Sequence, residues 1–90
     1  MGGSRTAEEA QEEIRRLAWQ RRVRYTTHAL FERMPARGVR RADVLAVLKS
    51  PSSCRPSEGE RWRVEGLDTA DDELTVVVAI EDNVVVVTVF

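Results

Sequence analysis

Leu74-Thr-Val-Val-Val-Ala-Ile80, Glu81-Asp-Asn83 and Val84-Val-Val-Val-Thr-Val89 form the stretch that decides the fold. Both flanking runs are dense in valine, whose branched Cβ suits an extended, pleated chain. The polar residues between them fit a tight hairpin loop. Val76–Ile80 shows no polar alternation, so it predicts a central strand covered by helices on at least one face. Upstream, Arg61-Trp-Arg-Val-Glu-Gly-Leu67 alternates, with Trp62 and Val64 set against Arg61, Arg63 and Glu65. Thr69–Asp72 supplies the turn from that strand to the one at 74. An antiparallel meander results.

Before residue 50 the period is helical. Thr6-Ala-Glu-Glu9 reads as a capping box, with Thr6 as N-cap. Ala10, Ile14, Leu17 and Ala18 then recur at helical spacing, which predicts an amphipathic helix over 7–21. Its early acids and late bases complement the helix dipole. Val23–Thr26 is short and extended. Thr26 or Thr27 caps a second helix from about His28, with Ala29, Leu30, Phe31 and Met34 on its apolar side. Pro35 ends or kinks that helix, because it lacks an N–H and crowds the carbonyl of Phe31. Gly38 is a left-handed stop. A third helix covers 41–49, and Pro51 closes it. The fold class that follows is α+β, with N-terminal helices packed on a C-terminal antiparallel sheet of three to four strands. Residues 1–6 read as a disordered start and 7–90 as one domain.

Ninety residues exclude a dinucleotide-binding enzyme with a separate substrate domain, a kinase or a (β/α)8 barrel. One Cys and one His exclude a zinc finger, a His cluster or an intramolecular disulfide. No cofactor or metal site is expected. Cys54 reads as a reduced thiol near a loop in a cytoplasmic protein. The start lacks a secretory apolar region, and the apolar runs are far shorter than the roughly 20 residues that span a bilayer. No membrane association is expected. The net charge of −1 hides an asymmetry. All 14 Lys and Arg lie at or before Arg63, and residues 64–90 hold seven acids and no base. Residues 14–49 hold ten bases against Glu32 and Asp43. A segregated basic half points to a polyanionic partner. Alternatively, the acidic half neutralises the basic half within the fold.

His28-Ala-Leu-Phe-Glu-Arg33-Met34, Arg37-Gly38-Val39 and Asp43-Val44 together resemble the signature of the DUF4258 family. That pattern runs roughly His-Ala-x-x-Arg-Met-x-x-Arg-Gly-Ile/Val, followed by an acid-apolar step that opens the next helix. The Val-rich hairpin is similar to the family's C-terminal strands, and the resemblance spans about 14–90. Pro35 departs from the more helical residue expected there, and a kink at it moves Arg33 and Arg37 off a common face. The resemblance implies a compact fold related to RelE-like toxin ribonucleases, with a small antitoxin-like protein as partner.

Metal-independent RNA cleavage needs a base for the 2′-OH, an acid for the leaving 5′-oxygen and cations for the phosphorane. Histidine suits the first two. His28 fills one role, and the other falls to Tyr25, Glu32 or the substrate. Arg33 and Arg37 complete the candidate catalytic set, since Arg forms bidentate contacts with phosphate. Arg24, Arg40, Arg41, Arg61 and Arg63 are candidate nucleic-acid contacts. On an ideal α-helix His28, Glu32 and Phe31 share a face, whereas His28 and Arg33 lie about 140° apart. Convergence then requires the sheet, through Arg61 and Arg63. A structural role stands beside each assignment: His28 as a cap, Arg33 paired to Asp43 or Glu65, Trp19 and Trp62 as core anchors. Two functional classes follow. One is an RNA-directed toxin, a ribonuclease or ribosome-binding protein. The other is a non-catalytic interaction module that docks a partner or a second copy, with the strand ending at Phe90 as its pairing edge. A helix-turn-helix DNA binder built on 28–37 and 41–49 is weaker, because a sheet follows.

Overall fold

The computed structural model describes residues 5–90. Of the start read as disordered, residues 1–4 lie outside the described residues. Arg5 Nε reaches Glu13 Oε1 at 2.7 Å, and Thr6 caps the first helix.

Helix α1 (Ala7–Trp19) begins with the reciprocal capping box: the Thr6 hydroxyl accepts the Glu9 N–H and the Glu9 carboxylate accepts the Thr6 N–H. It buries Ala10, Ile14, Leu17 and Ala18, the set its spacing predicts. It stops two residues short of the expected end, and Arg21, at φ 61°, turns the chain back. Strand β1 (Val23–Tyr25) follows, then a wide helical turn over Ala29–Arg33 that runs into α2 (Met34–Arg37), and then α3 (Arg41–Lys49). The chain finishes as β2 (Ser53–Ser57), β3 (Arg61–Leu67), β4 (Glu73–Ile80) and β5 (Val84–Val89).

The sheet has five strands in the order β1-β5-β4-β3-β2. Strands β3 to β5 form the expected antiparallel meander and β2 extends it beside β3, but β1 pairs parallel to β5, Val23 opposite Val84. The sheet is therefore mixed, and larger than the three to four antiparallel strands expected. Two strands carry weak local signals. β1 is three residues long. β2 contains Pro56, which an edge strand tolerates because its N–H side can face outward. Cys54 lies in β2, buried, instead of in a loop, and burial pushes its thiol pKa up. The expectation that the Phe90 strand is a free edge is also corrected: β5 sits between β1 and β4. Val87 is a bulge, because Thr88 pairs with Val77 while Val86 pairs with Val78.

Alternation sorts the sheet into two faces. Val64, Leu74, Val76, Val78, Val84, Val86 and Val89 join Ile14, Leu17, Val44, Val47 and Leu48 in one core under the helices. Gly66 sits at the closest approach, where an added Cβ would lie 3.3 Å from both the Ser50 carbonyl oxygen and Val47 Cγ1. The opposite face bears Arg24, Arg55, Arg61 and Arg63, with Val77 buried there outside the helix-covered core.

Candidate functional site

Thr26 launches the segment that holds His28. Its hydroxyl accepts the Ala29 N–H at 3.1 Å and donates to the Val87 carbonyl at 3.2 Å, so the helical start is fastened to the β5 bulge. The next turn is wider than an α-turn: the Met34 N–H donates to the Ala29 carbonyl, five residues back. Pro35 accounts for this locally. It has no N–H for the Phe31 carbonyl, and its ring would crowd that oxygen in a regular α-turn. The helical backbone does not end at Pro35. It widens before Pro35 and continues to Arg37. There Gly38, at φ 65°, closes it with the Val39 N–H on the Met34 carbonyl and the Gly38 N–H on the Pro35 carbonyl.

The wide turn changes which residues share a side. Ala29 and Met34, five apart, are both buried in the core. The residues just before them, His28 and Arg33, therefore share one flank, where an α-helix would have set them about 140° apart. Arg37 follows Arg33 by one regular turn and continues that flank. The three candidate catalytic residues thus line up without Arg61 or Arg63, which project from the far face of the sheet. Leu30, Phe31 and Glu32, between His28-Ala29 and Arg33-Met34, lie within the wide turn.

His28 Nδ1 lies 3.3 Å from Glu32 Oε1, and the imidazole is about half exposed at 53%. A carboxylate at Nδ1 favours the tautomer with its proton there, which leaves Nε2 as the acceptor. Among the described residues, Arg33 and Arg37 make no ion pair or side-chain hydrogen bond. The pairing of Arg33 to Asp43 or Glu65 that sequence allowed does not form, because both acids are otherwise engaged. Glu65 takes Ser53 Oγ at 2.8 Å and Arg55 at 3.1 Å, which holds its carboxyl below the usual range, with Arg63 3.6 Å away.

Asp43 is buried at the start of α3. Its carboxylate accepts the Thr69 hydroxyl, the Thr69 N–H at 3.2 Å and the Arg40 N–H at 2.9 Å. These bonds lower its pKa to about 2, the Thr69 hydroxyl contributing most. Arg40 Nη2 also bonds the Thr69 hydroxyl at 3.2 Å. Beside this knot lies a cleft of about 300 Å³, edged by Arg37 and Arg40 on one side and by Asp68, Asp72 and Glu73 on the other. With so many acids, it is no phosphate pocket. Sequence reading missed the Asp43–Thr69 link, because nothing local marks partners that are 26 residues apart.

The remaining candidates sit elsewhere. Arg41 lies over the Tyr25 ring, 5.5 Å from its centroid; burial raises the Tyr25 pKa, and Arg41 partly offsets it. Arg63 lies over the Phe90 ring at 4.9 Å, with its Nε buried and lacking a hydrogen-bond partner. Arg24 and Arg61 are exposed on the same open face. Among the described residues no group of three or more His, Cys, Asp and Glu is placed to hold a metal ion, and no helix is long and apolar enough to cross a membrane.

The family profile described as a domain of unknown function, DUF4258, matches residues 25–90. The chain belongs to the DUF4258 family. The DUF4258 match takes in the wide turn, α2, α3 and the whole meander. It leaves α1 outside, although Ile14 and Leu17 complete the same core. No curated protein and no solved structure shows significant similarity to the chain.

Proposed function

We propose that this DUF4258 domain is an RNA-directed, toxin-like protein of RelE-like architecture that cleaves RNA without a metal. The observation that carries the reading is the wide turn, which puts His28 on one flank with the unpaired guanidinium groups of Arg33 and Arg37. In this reading Glu32 holds His28 Nδ1, and Nε2 takes the proton of a ribose 2′-OH. The O2′–P bond forms as the P–O5′ bond breaks, and the leaving oxygen takes a proton from solvent. Arg33 and Arg37 hold the phosphate and offset its developing charge. Arg24, Arg61 and Arg63, with Arg40 and Arg41, supply the longer-range attraction to RNA. The partner this implies is an antitoxin-like protein in the cytoplasm.

The test is retention and cleavage of RNA by the wild type, His28→Ala and Arg33→Ala. Binding is expected to fall steeply with salt, as counterion release requires. Cleavage is expected to be lost in both variants. Cleavage unchanged in both would remove the catalytic reading. A stable dimer that retains no RNA at moderate salt would put the interaction module in its place.

A further inference from the structure

The helices cover one face of the sheet, and the other face stands open. Four residues of the open face lie in one row across adjacent strands. Arg24 of β1 is opposite Val85 of β5, and Val85 is opposite Ala79 of β4. Arg61 of β3 completes the row, because the residue after it, Trp62, is opposite Val78. Val85 and Ala79 are half-buried and lie outside the helix-covered core. Arg24 and Arg61 are exposed. Among the described residues neither makes an ion pair or a side-chain hydrogen bond.

Three strand spacings of about 4.8 Å set the two arginines roughly 14 Å apart across this apolar floor. An α-helix with its side chains is about 10–12 Å wide, so one helix laid along the strands fits between them. Its apolar side would rest on Val85 and Ala79, with both guanidinium groups in reach of its flanks. The floor continues along the strands. Arg63 reaches across β4 to the Phe90 ring at 4.9 Å, and Val77, opposite Arg63, is 8% exposed. The acids of this face do not answer the two arginines. Glu65 is held by Ser53 and Arg55, and Glu73 stands at the far end of β4.

Charge and shape together choose the occupant. A helix with acidic side chains on both flanks answers both arginines and covers the apolar floor. A second copy would bring the same unpaired arginines to the contact. RNA would meet the arginines with its phosphates but leave Val85 and Ala79 uncovered, and the Phe90 ring on this face already lies under Arg63.

We infer that the open face of the sheet docks an acidic amphipathic helix of a partner protein, with Val85 and Ala79 as its floor and Arg24 and Arg61 gripping its two flanks. The inference stands apart from the RNA-directed reading, whose site is on the helix-covered side.

The probe is a synthetic helical peptide with leucine and alanine along one side and glutamate on both flanks. It is titrated into the whole chain and followed by NMR. The amides of Val85, Ala79 and Arg61 are expected to shift, and those of His28 and Arg33 to stay. Arg24→Glu and Arg61→Glu are each expected to weaken binding by about five-fold or more, since each replaces an attraction with a repulsion. Thermal unfolding is expected to be unchanged in both, because both side chains are exposed. Equal binding of a scrambled peptide, or of one with lysine in place of glutamate, overturns the inference. No shift at these amides up to millimolar peptide overturns it as well. Open-face amides that shift with protein concentration alone assign the face to a second copy. Larger shifts there with a single-stranded oligoribonucleotide than with the glutamate peptide assign it to RNA. Either result overturns the inference.

Discussion

Asp43 at the start of α3 and Thr69 in the β3–β4 turn are joined through both the hydroxyl and the N–H of Thr69. The same carboxylate caps its own helix through the Arg40 N–H. One buried acid thus ties a helix end to a sheet turn. Asp43→Ala is expected to cost about 2 kcal/mol or more in urea unfolding at neutral pH, because charged hydrogen bonds are lost and buried donors are left bare. The folded-state pKa, lowered to about 2 from 3.8, sets the pH window. Stability from the ionised carboxylate is fully present above about pH 4 and is lost as pH falls through about 2. The gap between wild type and Asp43→Ala should therefore close across that range. A gap constant from pH 5 to 2 would refute this role for the carboxylate.

The His28–Glu32 pair separates chemistry from stability. His28→Ala is expected to lower RNA cleavage by about 10²–10⁴-fold, the usual contribution of a general base. Glu32→Gln is expected to lower it less, since it loosens the tautomer without removing the imidazole. Both groups are largely exposed, so each variant should stay within about 0.5 kcal/mol of wild type in thermal unfolding. A variant that loses cleavage only because it unfolds would be recognised by that second measurement.

Pro35→Ala tests the wide turn. The alanine N–H can donate to the Phe31 carbonyl, so the turn is expected to tighten toward an α-helix and rotate His28 away from Arg33. Cleavage should fall, with Phe31 amide and carbonyl shifts moving in NMR spectra and some stability lost as Ala29 and Met34 no longer both sit fully in the core. Unaltered shifts would mean that the core positions of Ala29 and Met34 hold the turn open by themselves.

Two glycines should respond for different reasons. Gly38 has open space around it but φ 65°, so Gly38→Ala is expected to cost about 1–2 kcal/mol through backbone strain, and Gly38→Asn less. Gly66 is free of that strain, but a Cβ there meets the Ser50 carbonyl oxygen and Val47 of α3. Gly66→Ala should cost about 1–3 kcal/mol as the helix is pushed off the sheet, and Gly66→Val more. Urea midpoints distinguish the cases, since only Gly38 is expected to be partly rescued by asparagine.

Elements with a strong local signature were legible before the tertiary structure. Thr6 and Glu9 cap α1, its apolar residues face the core, and the valine runs of β4 and β5 pair around Glu81–Asn83, all through contacts between near neighbours. The short β1 and the Pro56-bearing β2 were not assigned to the sheet, because each is held by long-range pairing that overrides weak local preference. The site divides likewise. His28, Arg33 and Arg37 stood out by type and spacing, but an α-helical spacing rule set His28 and Arg33 on different sides.

By itself, then, the sequence determined the α+β class, the order of helices and meander strands, and the candidate residues, because hydrophobic period, caps and turn chemistry act over a few residues. The tertiary structure alone decided that β5 is interior, that Asp43 holds Thr69, that Arg61 and Arg63 face away from the helices, and that His28 and Arg33 share a flank. The physical reason for the last is local and tertiary together: Pro35 has no N–H for the Phe31 carbonyl, and the turn widened to i→i+5 carries both Ala29 and Met34 into one core.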